Sequence, residues 1–272
     1  MKSWDRMWQV FRTFSAGMLL LVLCVGLTGC GTIAPLARDV DKAAGGPIWH
    51  DAGGLICKIT VTPSEGPAFY GQLVYRVATR RFVIQRLHNG ALEQVGYGDG
   101  RLWTRAVPSD DISAWTEMVI FGSYVAVPFE LADPSAKIRE LHPMTLGGQT
   151  FRIGVVDRAD KGKWAIFVGQ PENIPRALVP LAARPVLGGN YTGRDSVPKT
   201  TGYAVAYEKV VSVEGVSLPF RWTVWNWDSR EGVSKTPAAV VELSNPSFGD
   251  LQPSASPQYD LNMAGIGGNW WR

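Results

Sequence analysis

Asn89-Gly90 and Asp99-Gly100 stand ten residues apart, and that pair of dipeptides constrains the fold more than any other feature of the sequence. Both are type I′ hairpin signals, because Asn, Asp and Gly tolerate the positive φ such turns require. They separate residues 81–87, 91–97 and 101–105, each read as a strand. Two consecutive two-residue hairpins dictate an antiparallel meander. Upstream, Leu55, Cys57, Ile59 and Val61 alternate with Ile56, Lys58, Thr60 and Thr62, the period-two pattern of a strand with one better-buried face. Residues 70–78 read as a further strand.

One helix interrupts the pattern. Ser109, Asp110 and Asp111 are capping and first-turn residues, whose oxygens complement free N–H groups and the positive end of the dipole. That role outweighs reading the two carboxylates as an acid/base couple. The helix is expected from Asp110 to Val125, stopping before Pro128. Its first half carries Ser113, Thr116 and Glu117, whereas its second half is apolar on nearly every side and calls for cover on more than one face. A helix lying inside a curved sheet satisfies that demand.

Strand patterns resume at Phe151, Ile153 and Val155 and at residues 164–168. The stretch 170–201 holds Pro171, Pro175, Pro180, Pro185 and Pro198 and reads as a long covering loop or an edge excursion. Residues 203–213 and 218–227, joined at Glu214-Gly215, form another hairpin. Its second strand places Phe220, Trp222 and Val224 on one face and Trp225 and Trp227 on the other. Residues 238–243 are a last short strand, and from Pro246 the composition turns to Ser, Pro, Gln and Gly.

The N-terminus carries an export signal. Lys2, Arg6 and Arg12 against Asp5 give a basic start, and the apolar run from Met18 to Leu27 suits a signal-peptide core. It is too short for a membrane span, which needs about 20 apolar residues. Leu27-Thr28-Gly29-Cys30 resembles a lipobox, in which small residues precede the cut and the Cys30 thiol takes a diacylglycerol. The expected organisation is therefore a cleaved signal over 1–29, a flexible tether over 30–46, a folded domain over 47–245 and a flexible tail over 246–272. Residue 31 is Gly, not the Asp that retains enterobacterial lipoproteins in the inner membrane. By that likeness the domain is expected on the outer membrane, facing the periplasm.

Composition narrows the function classes. The chain has 272 residues and a net charge of +3; removing three positive charges and one negative with residues 1–29 leaves +1 on 243 residues. Nucleic-acid binding calls for clustered Lys and Arg, and neither a basic run nor aromatic–basic interleaving is present. Of three cysteines, Cys24 leaves with the signal and Cys30 is acylated, so Cys57 has no disulfide partner and reads as a small buried strand residue. His50, His88 and His142 are scattered without metal-ligand spacing, and no Gly-x-Ser-x-Gly elbow occurs. Gly96-Tyr97-Gly98-Asp99-Gly100 precedes a strand and makes a turn, not a phosphate cradle. No catalytic residue, metal or cofactor is expected, and the chain reads as a non-enzyme.

Four segments carry a resemblance: Ala44-Gly45-Gly46 with Trp49, Tyr97-Gly98-Asp99-Gly100-Arg101-Leu102-Trp103, Pro128-Phe129-Glu130-Leu131-Ala132-Asp133-Pro134, and Gly215-Val216-Ser217-Leu218-Pro219-Phe220-Arg221-Trp222. In this order, around the apolar helix, they resemble exported proteins similar to the periplasmic lipoprotein carriers and outer-membrane lipoprotein receptors, the LolA/LolB-like superfamily. The resemblance implies a mainly β (α+β) fold: an unclosed antiparallel β half-barrel wrapped around one or more helices, with a concavity that holds an acyl chain. The chain differs from the carriers in its own lipidation and its proline-rich segment.

The expected function is hydrophobic-ligand binding in that concavity by a membrane-anchored protein, with Trp103, Trp115, Phe121, Tyr124 and Trp222 as candidate liners. The competing expectation is a structural or protein-interaction lipoprotein of the envelope with a packed interior.

Overall fold

The structure is a computed structural model and describes residues 34–98, 101–133, 135–158, 162–182, 201–228 and 231–249. The signal segment, Cys30, the Asp99-Gly100 turn and residues 250–272 lie outside the described residues.

Twelve strands form one antiparallel sheet. The first meander comprises β1 (Gly54–Pro63), β2 (Phe69–Arg76), β3 (Arg81–His88), β4 (Ala91–Gly98) and β5 (Arg101–Arg105). The second comprises β6 (Lys137–Leu146), β7 (Gln149–Arg158), β8 (Gly162–Gly169), β9 (Ile174–Ala182), β10 (Thr201–Val213), β11 (Val216–Asp228) and β12 (Gly232–Gly249). Their order is β5-β4-β3-β2-β1-β12-β11-β10-β9-β8-β7-β6, so β5 and β6 are open edges and the sheet is an unclosed half-barrel. The expected fold class is the observed one.

The meanders are zipped together by β1 and β12, from Gly54 opposite Gly249 to Pro63 opposite Ala239. Asn89 and Gly90 both have positive φ, 50° and 78°, as the type I′ turn demands, and Glu214-Gly215 repeats the device at 51° and 85°. Both edges are guarded against further pairing. β5 has only five residues, whereas β6 carries Lys137, Arg139, Glu140, His142 and Pro143 and a register break between Leu141 and Met144.

Four α-helices are described: α1 (Pro35–Ala44), α2 (Gly46–Asp51), α3 (Ile112–Ser123) and α4 (Val127–Glu130). Residues of the expected tether thus belong to the folded unit. Leu36, Ala37, Val40 and Ala44 recur at helical spacing and are buried, the signature of an amphipathic helix hidden behind the polar Arg38–Lys42 stretch. Arg152 fixes α1 to the sheet: it makes a bidentate pair with Glu140 (2.7 and 3.0 Å) and reaches Asp39 at 2.6 Å. The hydrogen bonds to Glu140 lead in holding its guanidinium charged, outweighing the cost of partial burial.

Three other boundaries shift. After α3 the chain stays helical through a 3-10 turn at Tyr124–Ala126 into α4, because Pro128 occupies a first-turn position where its missing N–H costs nothing. The proline-rich stretch contains strand β9, whose Pro175 and Pro180 flank register breaks against β8; residues 183–200 lie outside the described residues. β12 extends to Gly249, past the expected start of the tail. The carboxylates of Asp110 and Asp111 make no side-chain cap; they occupy a 3-10 turn, Ser109–Asp111, before α3.

The helix-facing core draws on both meanders, including Leu55, Ile59, Leu73, Phe82, Ile84, Val205, Trp222 and Val241. A second apolar cluster lies on the opposite face of β7–β11, where Phe151, Phe167, Trp225 and Trp227 flank Ala204 and Ala206. The predicted alternation along β11 is therefore real, and both of its faces are buried.

Gly45 ends α1 at φ +83°, and a Cβ there would lie 2.3 Å from the Gly215 carbonyl oxygen in the β10–β11 turn. Gly45→Ala is expected to cost about 1–3 kcal/mol through left-handed strain alone. A fall in the urea midpoint at unchanged slope checks this; an unchanged midpoint would show that the turn yields freely.

Candidate functional site: the concave face and its helix

α3 lies in the concavity with its apolar surface against the sheet. Trp115, Met118, Val119 and Phe121 are buried. Gly122 permits the closest approach: a Cβ there would come within 2.7 Å of the Phe82 ring and 3.2 Å of the Ile59 and Ile84 Cδ1 atoms. Two of the helix's hydroxyls are satisfied locally, Thr116 Oγ1 donating to the Ile112 carbonyl and Ser123 Oγ to that of Ile120, each at 2.8 Å.

The C-terminal carbonyls of a helix need partners from outside it; the Tyr124 and Val127 N–H groups meet those of Gly122 and Tyr124, and the sheet adds two further donors. Trp222 Nε1 donates to the Phe121 carbonyl at 3.1 Å and Tyr207 Oη to the Tyr124 carbonyl at 2.8 Å. Burial raises the Tyr124 and Tyr207 phenols, and it lifts that of Tyr203, edge-on to Phe121 at 4.9 Å, to about 12. All three stay neutral over the physiological range and act as hydrogen-bonding and packing groups. Burial likewise pushes the Cys57 thiol to about 12, which makes it unreactive.

The N-terminal half of α3 meets a polar rim. Arg86 places its guanidinium 5.1 Å from the Trp115 ring centroid and 5.4 Å from that of Phe69. Its Nε donates to Glu93 at 2.6 Å, and His88 Nδ1 lies 3.0 Å from the same carboxylate. Glu93 is almost wholly buried. Desolvation works to raise its pKa, but the hydrogen bonds and charges of Arg86 and His88 prevail and hold it below the ordinary carboxylate value.

At the other end Trp49 stacks on Phe129 at 4.1 Å and leans on Tyr75 at 5.4 Å. Nearby, Ala44, Pro128, Pro175, Tyr207 and Pro219 line a recess of about 10 Å³, roughly one water's worth of room.

Four of the five candidate liners come together. Trp115, Phe121 and Trp222 belong to the helix-facing core and Tyr124 packs against it. Trp103 stands apart. It pairs with Gly96, whose strand neighbour Val95 faces the core, so Trp103 lies across Gly96 on the outer face. Tyr207, Tyr203, Arg86 and Glu93 are the residues sequence reading missed. The parity of β3 and β4 carries a signal for two of them: Arg86 and Glu93 sit in phase with inward-facing Ile84 and Val95.

No protein-family model and no curated relative matches the sequence. Among solved structures, the chain is similar to a LolA superfamily protein from Nitrosomonas europaea, at 11% identity and a TM-score of 0.49, covering 80% of this chain and 96% of that one. A DUF1329 family protein from Desulfovibrio piger follows, at 9% identity and a TM-score of 0.42, covering 79% and 93%. A Vibrio parahaemolyticus domain described as an outer membrane lipoprotein-sorting protein gives 11% identity and 0.39, covering 84% and 94%.

The rim makes acid stability dependent on Glu93. Its lowered pKa means the stabilisation is fully present above the unfolded value, about 4.3, and is lost as pH falls through the folded value. Glu93→Gln is expected to flatten the decline in stability below about pH 4.3, measured by urea unfolding at stepped pH. A variant profile parallel to that of the parent would refute the assignment.

Proposed function

We propose that this chain is a non-enzymatic protein of the cell envelope, anchored through lipidated Cys30 on the outer membrane's periplasmic side, that takes an acyl chain or similar hydrophobe on the concave face of its half-barrel. The observation that carries the reading is α3, a helix whose apolar residues are seated on a continuous apolar sheet face. Two side-chain hydrogen bonds tie its end to that sheet. Each contributes only about 1 kcal/mol net, so most of what holds α3 is non-directional apolar contact. A ligand of the same character can replace such contact.

Trp115, Phe121, Tyr124 and Trp222 are then the groups an acyl chain meets as α3 gives way. Trp103, on the outer face, is not part of that set. Phe121 and Trp222 are buried against one another's elements in the described state, so entry requires displacement of the helix. Pockets for drug-sized ligands run to about 300–1,000 Å³, and displacement of α3 would open such room.

The second reading is a structural or protein-interaction lipoprotein of the envelope, favoured by how completely these aromatic side chains are packed. Native mass spectrometry of the chain isolated from membranes, with lipid extraction, separates the two. The first reading expects a co-purifying hydrophobe and quenching of tryptophan fluorescence by brominated fatty acid. A chain with no bound hydrophobe and unquenched fluorescence would leave only the second.

A further inference from the structure

Arg176, on β9, is an arginine that no carboxylate meets. Arg86, Arg152 and Arg221 are each matched by a glutamate. Arg176 makes neither an ion pair nor a side-chain hydrogen bond among the described residues, and its Nε atom is shut off from solvent. The N–H of a charged group, buried without an acceptor, is costly to keep. It points to an oxygen that the chain itself does not supply.

The backbone puts the side chain there. Along the β8–β9 ladder Phe167 pairs with Ala177 and Val168 with Pro175, so Arg176 is the extra residue of a β-bulge. By plain alternation from Ala177, which belongs to the convex-face cluster, Arg176 would point toward the helices. The bulge re-aims it to the convex face, over Gly169. The Cβ that Gly169 lacks would stand 3.1 Å from Arg176 Cγ, 3.3 Å from its Nε and 3.0 Å from Gln149 Nε2. Gly169 has no positive φ, so what glycine provides at this position is room. Phe151 faces Gly169 across the β7–β8 ladder and is buried beside Phe167 in the convex-face cluster.

We infer that Arg176, Gln149 and the space over Gly169 form a binding site for a small oxyanion, a carboxylate or a phosphate. Two N–H donors bound that space, one of them on a permanent positive charge. A guanidinium offers its Nε–H and a neighbouring Nη–H along one edge, which matches two oxygens of either group. The apolar wall at Phe151 lowers the local dielectric and strengthens such bonds. A water molecule would satisfy the Nε–H but leave the charge unmatched; an oxyanion meets both demands. The site lies on the face opposite α3, so it goes beyond the concave-face reading and does not depend on it. Free anions and lipid headgroups share this chemistry, and the test separates them.

The test follows the Arg176 Nε–H resonance by nuclear magnetic resonance in the isotope-labelled full chain, in neutral detergent. Its loss in Arg176→Lys assigns the signal. Inorganic phosphate and acetate are titrated at constant ionic strength maintained with chloride. The inference expects a saturable shift with at least one of the two anions and none with chloride alone. Gly169→Ala, which fills the space, should weaken binding about tenfold. Phosphate or acetate, whichever binds, should also raise the urea midpoint of the parent but not that of Arg176→Lys, a readout independent of the glycine variant. Tighter binding of short-chain phosphatidic acid than of inorganic phosphate assigns the site to a lipid headgroup; equal or weaker binding assigns it to a free anion.

An Nε–H signal that stays put under both anions overturns the inference and leaves a buried water as the acceptor. A shift that chloride reproduces, or that Gly169→Ala leaves at full affinity, overturns it as well.

Discussion

Everything in this molecule hangs on the ladder between β1 and β12. It joins residues as far apart in sequence as Gly54 and Gly249, and without it the two meanders would be separate sheets with open inner edges. Once it forms, Cys57, Ile59 and Val61 come to share one apolar surface with Val241 and Leu243 of β12 and Trp222 of β11. The surface curves, so its area outstrips what the strands can cover for themselves. α3, rich in apolar residues, fills the space because it lies in the connection between the two meanders.

The interior is consequently held by two kinds of interaction at the two ends of α3. At its C-terminal end the sheet adds hydrogen bonds to the helix, from Trp222 to the Phe121 carbonyl and from Tyr207 to that of Tyr124, which the Val127 N–H also meets. At the N-terminal half Arg86 stacks on Trp115 while pairing with Glu93, which ties helix position to a charge cluster at the rim. Between these ends contact is mainly apolar, with one side-chain hydrogen bond between Tyr203 and Glu117.

Much of this was legible in the residues. Asn89-Gly90 and Glu214-Gly215 gave the hairpins, the aromatic pattern of β11 gave a strand with two apolar faces, and the polarity gradient along α3 gave a helix within a curved sheet. What escaped has physical causes. α1 was hidden because its buried Leu36, Ala37 and Val40 alternate with charged residues over barely three turns, and its burial depends on Gly154 and Arg152, more than a hundred residues away. β9 was masked by prolines that register breaks accommodate. Trp103 was assigned to the interior as a large aromatic, yet an outward ring lying on a glycine buries much of itself too. Arg86 and Glu93 were invisible as a pair, because cross-strand partners declare themselves only once register is known.

The central claim is that α3 is the exchangeable part of an otherwise fixed half-barrel. Hydrogen exchange of the chain, with and without a long-chain fatty acid, measures it directly. The account predicts that amides of residues 112–123 lose protection as ligand is added while those of the β1–β12 ladder keep theirs. Retained protection across α3 at saturating ligand would contradict it.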